Sequence, residues 1–151
     1  MIFLKYKVTE NKIKEILTQN KSTTILQDVV DVLYESFEKY SWIGIYLVKG
    51  DVLVLGPWKG KQATEHTTIS VGKGVCGAAA RSGKTEVVND VSKDSRYLSC
   101  FRSTRSEIVV PITKKSRVIG EIDIDSDVPA AFDKIDKKFL EKIADMLCQH
   151  I

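Results

Sequence analysis

The sequence predicts an α+β fold, an antiparallel sheet built from hairpins with helices before, within and after it. Three observations carry this. Apolar residues recur at steps of three and four near both ends of the chain, which is the helical period. From Trp42, and again from Glu107, the period is two, with turn residues between paired runs. The length of 151 residues suits one domain that buries most of its apolar surface, so residues 1–151 are expected to form a single unit.

The elements follow in order. Glu10 to Thr18 carries Ile13, Ile16 and Leu17 at helical spacing, and Gln19-Asn20-Lys21 breaks it. Thr24 and Gln27 have the spacing of a capping box. Behind them Leu26, Val29, Val30, Leu33, Phe37 and Tyr40 form one stripe, predicting an amphipathic helix whose apolar side is core. Trp42 to Val48 is a strand, Lys49-Gly50-Asp51 a tight turn, and Val52 to Leu55 the hairpin partner. Gly56-Pro57 is expected to end the pairing. Trp42, Gly44 and Tyr46 share one strand face and Ile43, Ile45 and Leu47 the other, so an aliphatic face meets the helices and an aromatic face lies opposite.

Lys59 to Ser70 is polar without a clear period. Val75 to Ser82, with three alanines, reads as a short helix, and Gly83 suits the left-handed position after it. Cys76 then sits at or just before a helix N-terminus, where the dipole favours a thiolate. The preceding Gly72-Lys73-Gly74 lacks both Walker and dinucleotide spacing, so phosphate binding is not expected. Thr85 to Val88 is a short strand. Asn89 to Thr104 is a long loop carrying Cys100, and loops of this length are often functional. Lys93, Arg96, Arg102 and Arg105 are placed to lower the pKa of that thiol.

Glu107 to Ile112 and Arg117 to Asp125 form a second hairpin, turning at Thr113 to Ser116. Val118, Gly120, Ile122 and Ile124 share one face of its second strand, and Glu121, Asp123 and Asp125 the other. Acids at alternate positions either face water or line a polar pocket. Asp133 to Asp136 opens the last helix, with Ile135, Phe139, Ile143, Met146 and Leu147 as its buried stripe and Cys148 as a packing thiol near its end.

Composition narrows the function. With 23 basic and 20 acidic residues the net charge is only +3, and the lysines and arginines are scattered, so no basic face for nucleic acid is expected. No run approaches the roughly 18 apolar residues of a membrane helix. Met1 to Lys5 is too soon charged for a signal peptide, which points to a cytoplasmic protein. Three cysteines with no Cys-x-x-Cys pair argue against a disulfide framework. Zinc would have to draw on Cys76, Cys100, Cys148, His66 and His150, mostly from distant segments, so neither a metal nor a cofactor is expected.

The order of elements resembles a GAF domain, which implies an antiparallel sheet with helices packed on one face and a ligand pocket on the other. Narrower motifs resemble the free methionine-(R)-sulfoxide reductases. They are Trp42 to Tyr46, Leu55 to Trp58, Gly72 to Gly77, the Cys100 loop, Ser106 to Pro111 and Ile122 to Ser126. The resemblance implies an oxidoreductase with Cys100 as nucleophile and Cys76 as resolving cysteine, joined in a Cys76–Cys100 disulfide that a thioredoxin-type dithiol reopens. It implies Glu107, Asp123 and Asp125 as an acidic wall and Trp42 and Tyr46 as an aromatic wall around free methionine (R)-sulfoxide, in a monomer or homodimer. Glu107 is a candidate proton donor beside Asp125, and Asp123 the candidate partner of the substrate ammonium. The family usually has a further cysteine before Gly72, where this chain has Thr64 and His66. Two alternatives stand beside the enzyme: a GAF ligand sensor without catalysis, and a thiol redox switch without a substrate.

Overall fold

The computed structural model describes residues 2–19, 23–99 and 101–151. Six strands form one sheet in which every neighbouring pair is antiparallel, in the order β3-β2-β1-β6-β5-β4. They are β1 (Trp42–Lys49), β2 (Val52–Gly60), β3 (Thr68–Ser70), β4 (Glu86–Val88), β5 (Ser106–Lys114) and β6 (Arg117–Ser126). Four α-helices accompany them: α1 (Ile2–Gln19), α2 (Ile25–Ser36), α3 (Gly74–Ser82) and α4 (Lys134–Leu147). The α+β antiparallel architecture is the expected one.

Period two in the central strands sorts the side chains into two cores. Ile43 and Ile45 of β1, Ile108, Val110 and Ile112 of β5, and Ile122 and Ile124 of β6 face α1, α2 and α4 in one aliphatic layer. The opposite face holds Trp42, Tyr46 and Val109, covered by α3, β3 and the segment around Phe101. Helices therefore cover both faces rather than one, with the small α3 on the side of the pocket. Its size explains this: nine residues rich in alanine and glycine fit over a polar site without filling it.

Several local expectations are corrected. α1 begins at Ile2, well before Glu10, because Tyr6 packs on Phe37 and Phe139 with ring centroids 4.9 and 5.1 Å apart. The capping box at Thr24 does not form. Thr24 makes no side-chain cap, and Gln27 turns its amide to the Asp31 carboxylate and the Trp58 carbonyl instead. α2 stops at Ser36, so Phe37 and Tyr40 continue its stripe from outside the helix, still buried in the same core. Gly56-Pro57 does not end β2. Two strand residues are looped out opposite Ile45 as a bulge, after which pairing resumes at Trp58 and runs to Gly60. The polar connection contains β3, and the long loop contains a 3-10 turn, Val91–Lys93, capped by the Asp90 side chain.

The turn signals hold where two residues suffice. Gly50 has φ +67° between the paired Lys49 and Val52. Lys115 and Ser116 have φ of 51° and 64° between the paired Lys114 and Arg117, the positive values a type I′ turn requires.

α4 starts as read, with Asp133 and Asp136 capping each other's backbone. Asp136 is fully buried and also accepts from Tyr6 Oη at 2.5 Å and Lys39 Nζ at 2.7 Å. One carboxylate thus ties α1, the segment after α2 and the start of α4. Asp136→Ala is expected to cost roughly 3 kcal/mol, since it strands an ammonium and a hydroxyl at once. Urea unfolding checks this, and a midpoint unchanged from wild type refutes it.

Candidate active site

Directly opposed residues of antiparallel strands point to the same face, so the register assembles the site rung by rung. Trp42 of β1 lies opposite Asp125 of β6, which lies opposite Glu107 of β5. Gly44 lies opposite Asp123, and Asp123 opposite Val109. Tyr46 lies opposite Glu121. All these side chains fall on the face that α3 covers, and α3 lowers Cys76 onto the acids from above. Cys76 Sγ and carboxylate oxygens of Glu107 and Asp123 lie within 4.8 Å of one another.

The acids do not face water. Glu107, Glu121, Asp123 and Asp125 are all buried, Glu121 with no exposed surface at all. Among the described residues, one oxygen each of Asp123 and Asp125 and Trp42 Nε1 lack a hydrogen-bond partner, and the Glu121 oxygens have none but the Cys76 thiol. Burial pushes Glu107 and Asp125 well above the usual carboxylate range, with the Asp123 charge adding to the shift of both. Glu121 is raised by burial first and by Asp123 second. Burial raises Asp123 too, but hydrogen bonds with Glu107 and Cys76 hold it down. Burial and the neighbouring charges thus favour the protonated forms of both Glu107 and Asp125.

The expectation for Cys76 is overturned. It is the third residue of α3, yet its thiol pKa is pushed well up, by burial first and then by Asp123, Glu121 and Glu107. One helix terminus does not outweigh three acids in a dry site. Cys76 is a neutral thiol here.

The glycines around it have a packing reason. A side chain on Gly77 would run into the Ser70 carbonyl and the Gly72 backbone. Gly72 N–H donates to Gly77 and Lys73 N–H to Ser70, at 2.8 and 3.0 Å, so the loop spends these donors on itself. This agrees with the absence of phosphate-binding spacing.

The aromatic wall is larger than expected. Trp58 stacks on Trp42 at 6.3 Å, and Phe101 closes against the same ring at 5.9 Å. The indole of Trp42 lies flat over Gly44 and Gly60, where any Cβ would collide with it. Tyr46 donates its hydroxyl to the His66 carbonyl at 2.7 Å, and the His66 N–H is held by Thr64 Oγ1 at 3.0 Å. Thr64 and His66 therefore brace Tyr46.

A cavity of about 260 Å³ opens between Trp42, Phe101, Thr104 and Asp125. It is smaller than the roughly 300–1,000 Å³ of drug-sized pockets and suits a ligand of amino-acid size. Asp125 and Trp42 line it, whereas Glu107, Asp123, Tyr46 and Cys76 are not among its lining residues. Cys100 falls outside the described residues, between the buried Phe101 and Ser99. Of the cations considered for it, Arg96 pairs with Asp94 and Glu86, Lys93 lies 3.9 Å from Asp90, and Arg105 donates to two carbonyls. Cys148 lies far along the chain, its thiol on the Asp145 carbonyl, partly buried against the helical core as expected.

Glu121 and Phe101 are members that sequence reasoning did not assign to the site. The alternation that placed Asp123 and Asp125 carried Glu121 too; nothing in the spacing marked Phe101. Each raised carboxyl binds its proton more tightly in the folded chain than in the unfolded one. Its contribution to stability is therefore full below the unfolded range near pH 4 and is lost as pH rises toward the folded value. Glu121→Met removes a buried acid whose oxygens have no partner but the Cys76 thiol. It is expected to stabilise the chain by about 1–3 kcal/mol above neutral pH and by less near pH 4. Urea unfolding at both pH values checks this; equal effects at the two would sink it.

Comparison with known proteins agrees with the geometry. A GAF domain family profile matches residues 22–151. The chain is 40% identical over 138 residues to GAF domain-containing protein A of Dictyostelium discoideum, covering 90% of this chain and 85% of that one. It is 38% identical over 116 residues to the free methionine-R-sulfoxide reductase of Escherichia coli, covering 77% of this chain and 69% of that one. The structure of the free methionine-R-sulfoxide reductase of Neisseria meningitidis in complex with its substrate is similar at TM-score 0.89 and 37% identity, covering 95% of this chain and 86% of that one. Among the described residues, no helix is long and apolar enough to cross a membrane.

Proposed function

This chain belongs to the GAF domain family and, within it, to the free methionine-R-sulfoxide reductases; on that premise we propose that it reduces free methionine (R)-sulfoxide in the cytoplasm, as a single GAF domain, by a sulfenic acid on Cys100. The observation that carries this reading is the buried acid cluster packed around Cys76 beneath an aromatic wall.

The Cys100 thiolate attacks the sulfoxide sulfur. Protons reach the oxygen as it transfers, and the products are methionine and a sulfenic acid on Cys100. Glu107 is the donor, because its raised pKa keeps a proton available near neutrality. Asp123 and Asp125 receive the substrate ammonium in charge-assisted hydrogen bonds. Trp42 and Tyr46 hold the methyl-sulfoxide end, where an aromatic face suits a polarisable sulfur. A ligand enclosed at both ends leaves no path for a peptide chain, which accounts for preference for the free amino acid.

Cys76 then condenses with the sulfenic acid. Its S–H proton passes to Asp123 and from there to the sulfenic hydroxyl, the S–S bond forms as the S–O bond of Cys100 breaks, and the oxygen departs as water. A thioredoxin-type dithiol reopens the disulfide by exchange. With Thr64 in place of the family's further cysteine, Cys76 resolves alone.

The test is methionine formation from the racemic free sulfoxide with dithiothreitol. Consumption should stop near half, one epimer being untouched. Binding without methionine would instead mark a sensor, and peroxide-driven Cys76–Cys100 oxidation without methionine a redox switch.

A further inference from the structure

We propose that the reduced protein also holds a divalent cation of borderline softness, Zn²⁺ in type, on Cys76 Sγ and one carboxylate oxygen each of Glu107 and Asp123. The three ligand atoms already lie within 4.8 Å of one another, and all three residues are more than nine-tenths buried. A tetrahedral ion about 2.3 Å from sulfur and about 2.0 Å from oxygen needs them about 3.3–3.5 Å apart, an adjustment of about 1.5 Å at most.

A second observation points to a ligand at the same place. Among the described residues, Asp123 Oδ1 is buried within this group without a hydrogen-bond partner, an acceptor left open at the place where the three ligand atoms converge. Among the described residues, no lysine, arginine or histidine is among the main groups that act on Cys76, Glu107, Glu121, Asp123 or Asp125.

The thiol decides which ion. Carboxylates alone suit magnesium or calcium, whereas sulfur beside carboxylates favours a softer metal. Binding forms the metal–sulfur and metal–oxygen bonds and releases the Cys76 thiol proton and the proton held on Glu107 to solvent, with no change of oxidation state. While bound, the ion holds the Cys76 sulfur and closes it to disulfide formation. Spacing hides this site in the sequence, because its ligands come from α3, β5 and β6 rather than from neighbouring cysteines and histidines.

The experiment reads binding without turnover, so it stands or falls separately from the reductase reading. The full chain, reduced and free of chelator, is titrated with Cd²⁺ while thiolate-to-metal charge-transfer absorption is followed. One equivalent should saturate the band. It should persist in Cys100→Ser and Cys148→Ser, vanish in Cys76→Ser, and need at least about tenfold more cation in Asp123→Asn. X-ray absorption of the zinc-loaded wild type needs no variant to fold; it should give one sulfur near about 2.3 Å with oxygens near about 2.0 Å. Two sulfurs in that shell, a band that survives Cys76→Ser or is lost in Cys100→Ser, or no band at millimolar cation overturns the proposal.

Discussion

The Cys76→Ser variant, supplied with thioredoxin and substrate, is expected to release one methionine per chain and then stop, with a sulfenic acid held on Cys100. Wild type should turn over continuously under the same conditions. The reasoning starts from protonation. A thiol attacks as its thiolate, and Cys76 is held neutral by burial and by three neighbouring acids. It is therefore poorly suited to begin the reaction and well suited to wait. Its hydrogen bond with Asp123 gives it a base for the later step, when the sulfenic acid offers an electrophilic sulfur. Serine keeps the hydroxyl donor to Asp123, so the fold should survive the change. Dimedone labelling and mass spectrometry locate the adduct. Finding it on Cys76 in Cys100→Ser, with none on Cys100 in Cys76→Ser, would exchange the two roles.

What the sequence made legible follows from periodicity. Alternation along β6 put Glu121, Asp123 and Asp125 on one face, and the register with β5 brings Glu107 to the same face. Alternation along β1 separated Trp42 and Tyr46 from the aliphatic core in the same way. Both are local patterns that survive folding, because a one-residue slip would turn isoleucines out and acids in. What was illegible depends on contacts between distant segments. The charge state of Cys76 looked like a matter of its helix terminus, but burial first, and then acids from two strands, push its thiol pKa up. Thr24 and Gln27 had capping spacing, yet Gln27 found the Trp58 carbonyl 31 positions away. Gly56-Pro57 read as a stop because spacing cannot distinguish a strand end from a bulge between two well-paired stretches.

Glu107→Gln and Asp123→Asn are expected to fail differently, and the contrast tests the division of work inside the cluster. Glu107 lies between Asp123 and Asp125, and both their charges and its burial favour its protonated form. A proton donor held that way is used in the transition state, so Glu107→Gln should lower kcat by about 10²–10⁴ with little change in KM. The sign of the pH dependence follows from the raised pKa. Wild-type activity depends on the protonated form and should fall as pH rises through the folded value of Glu107, and the variant should lose that alkaline limb. Asp123 keeps the lower affinity for a proton of the two, because Glu107 and Cys76 both hydrogen-bond to it. It is the charge we propose to meet the substrate ammonium. Losing one such charge-assisted bond costs about 1.5–3 kcal/mol, so Asp123→Asn should raise KM by roughly 10- to 150-fold. Steady-state kinetics across the pH range separates the two. If Glu107→Gln raised KM alone and kept the alkaline limb, the proton would have to come from Asp125, whose pKa burial raises in the same direction.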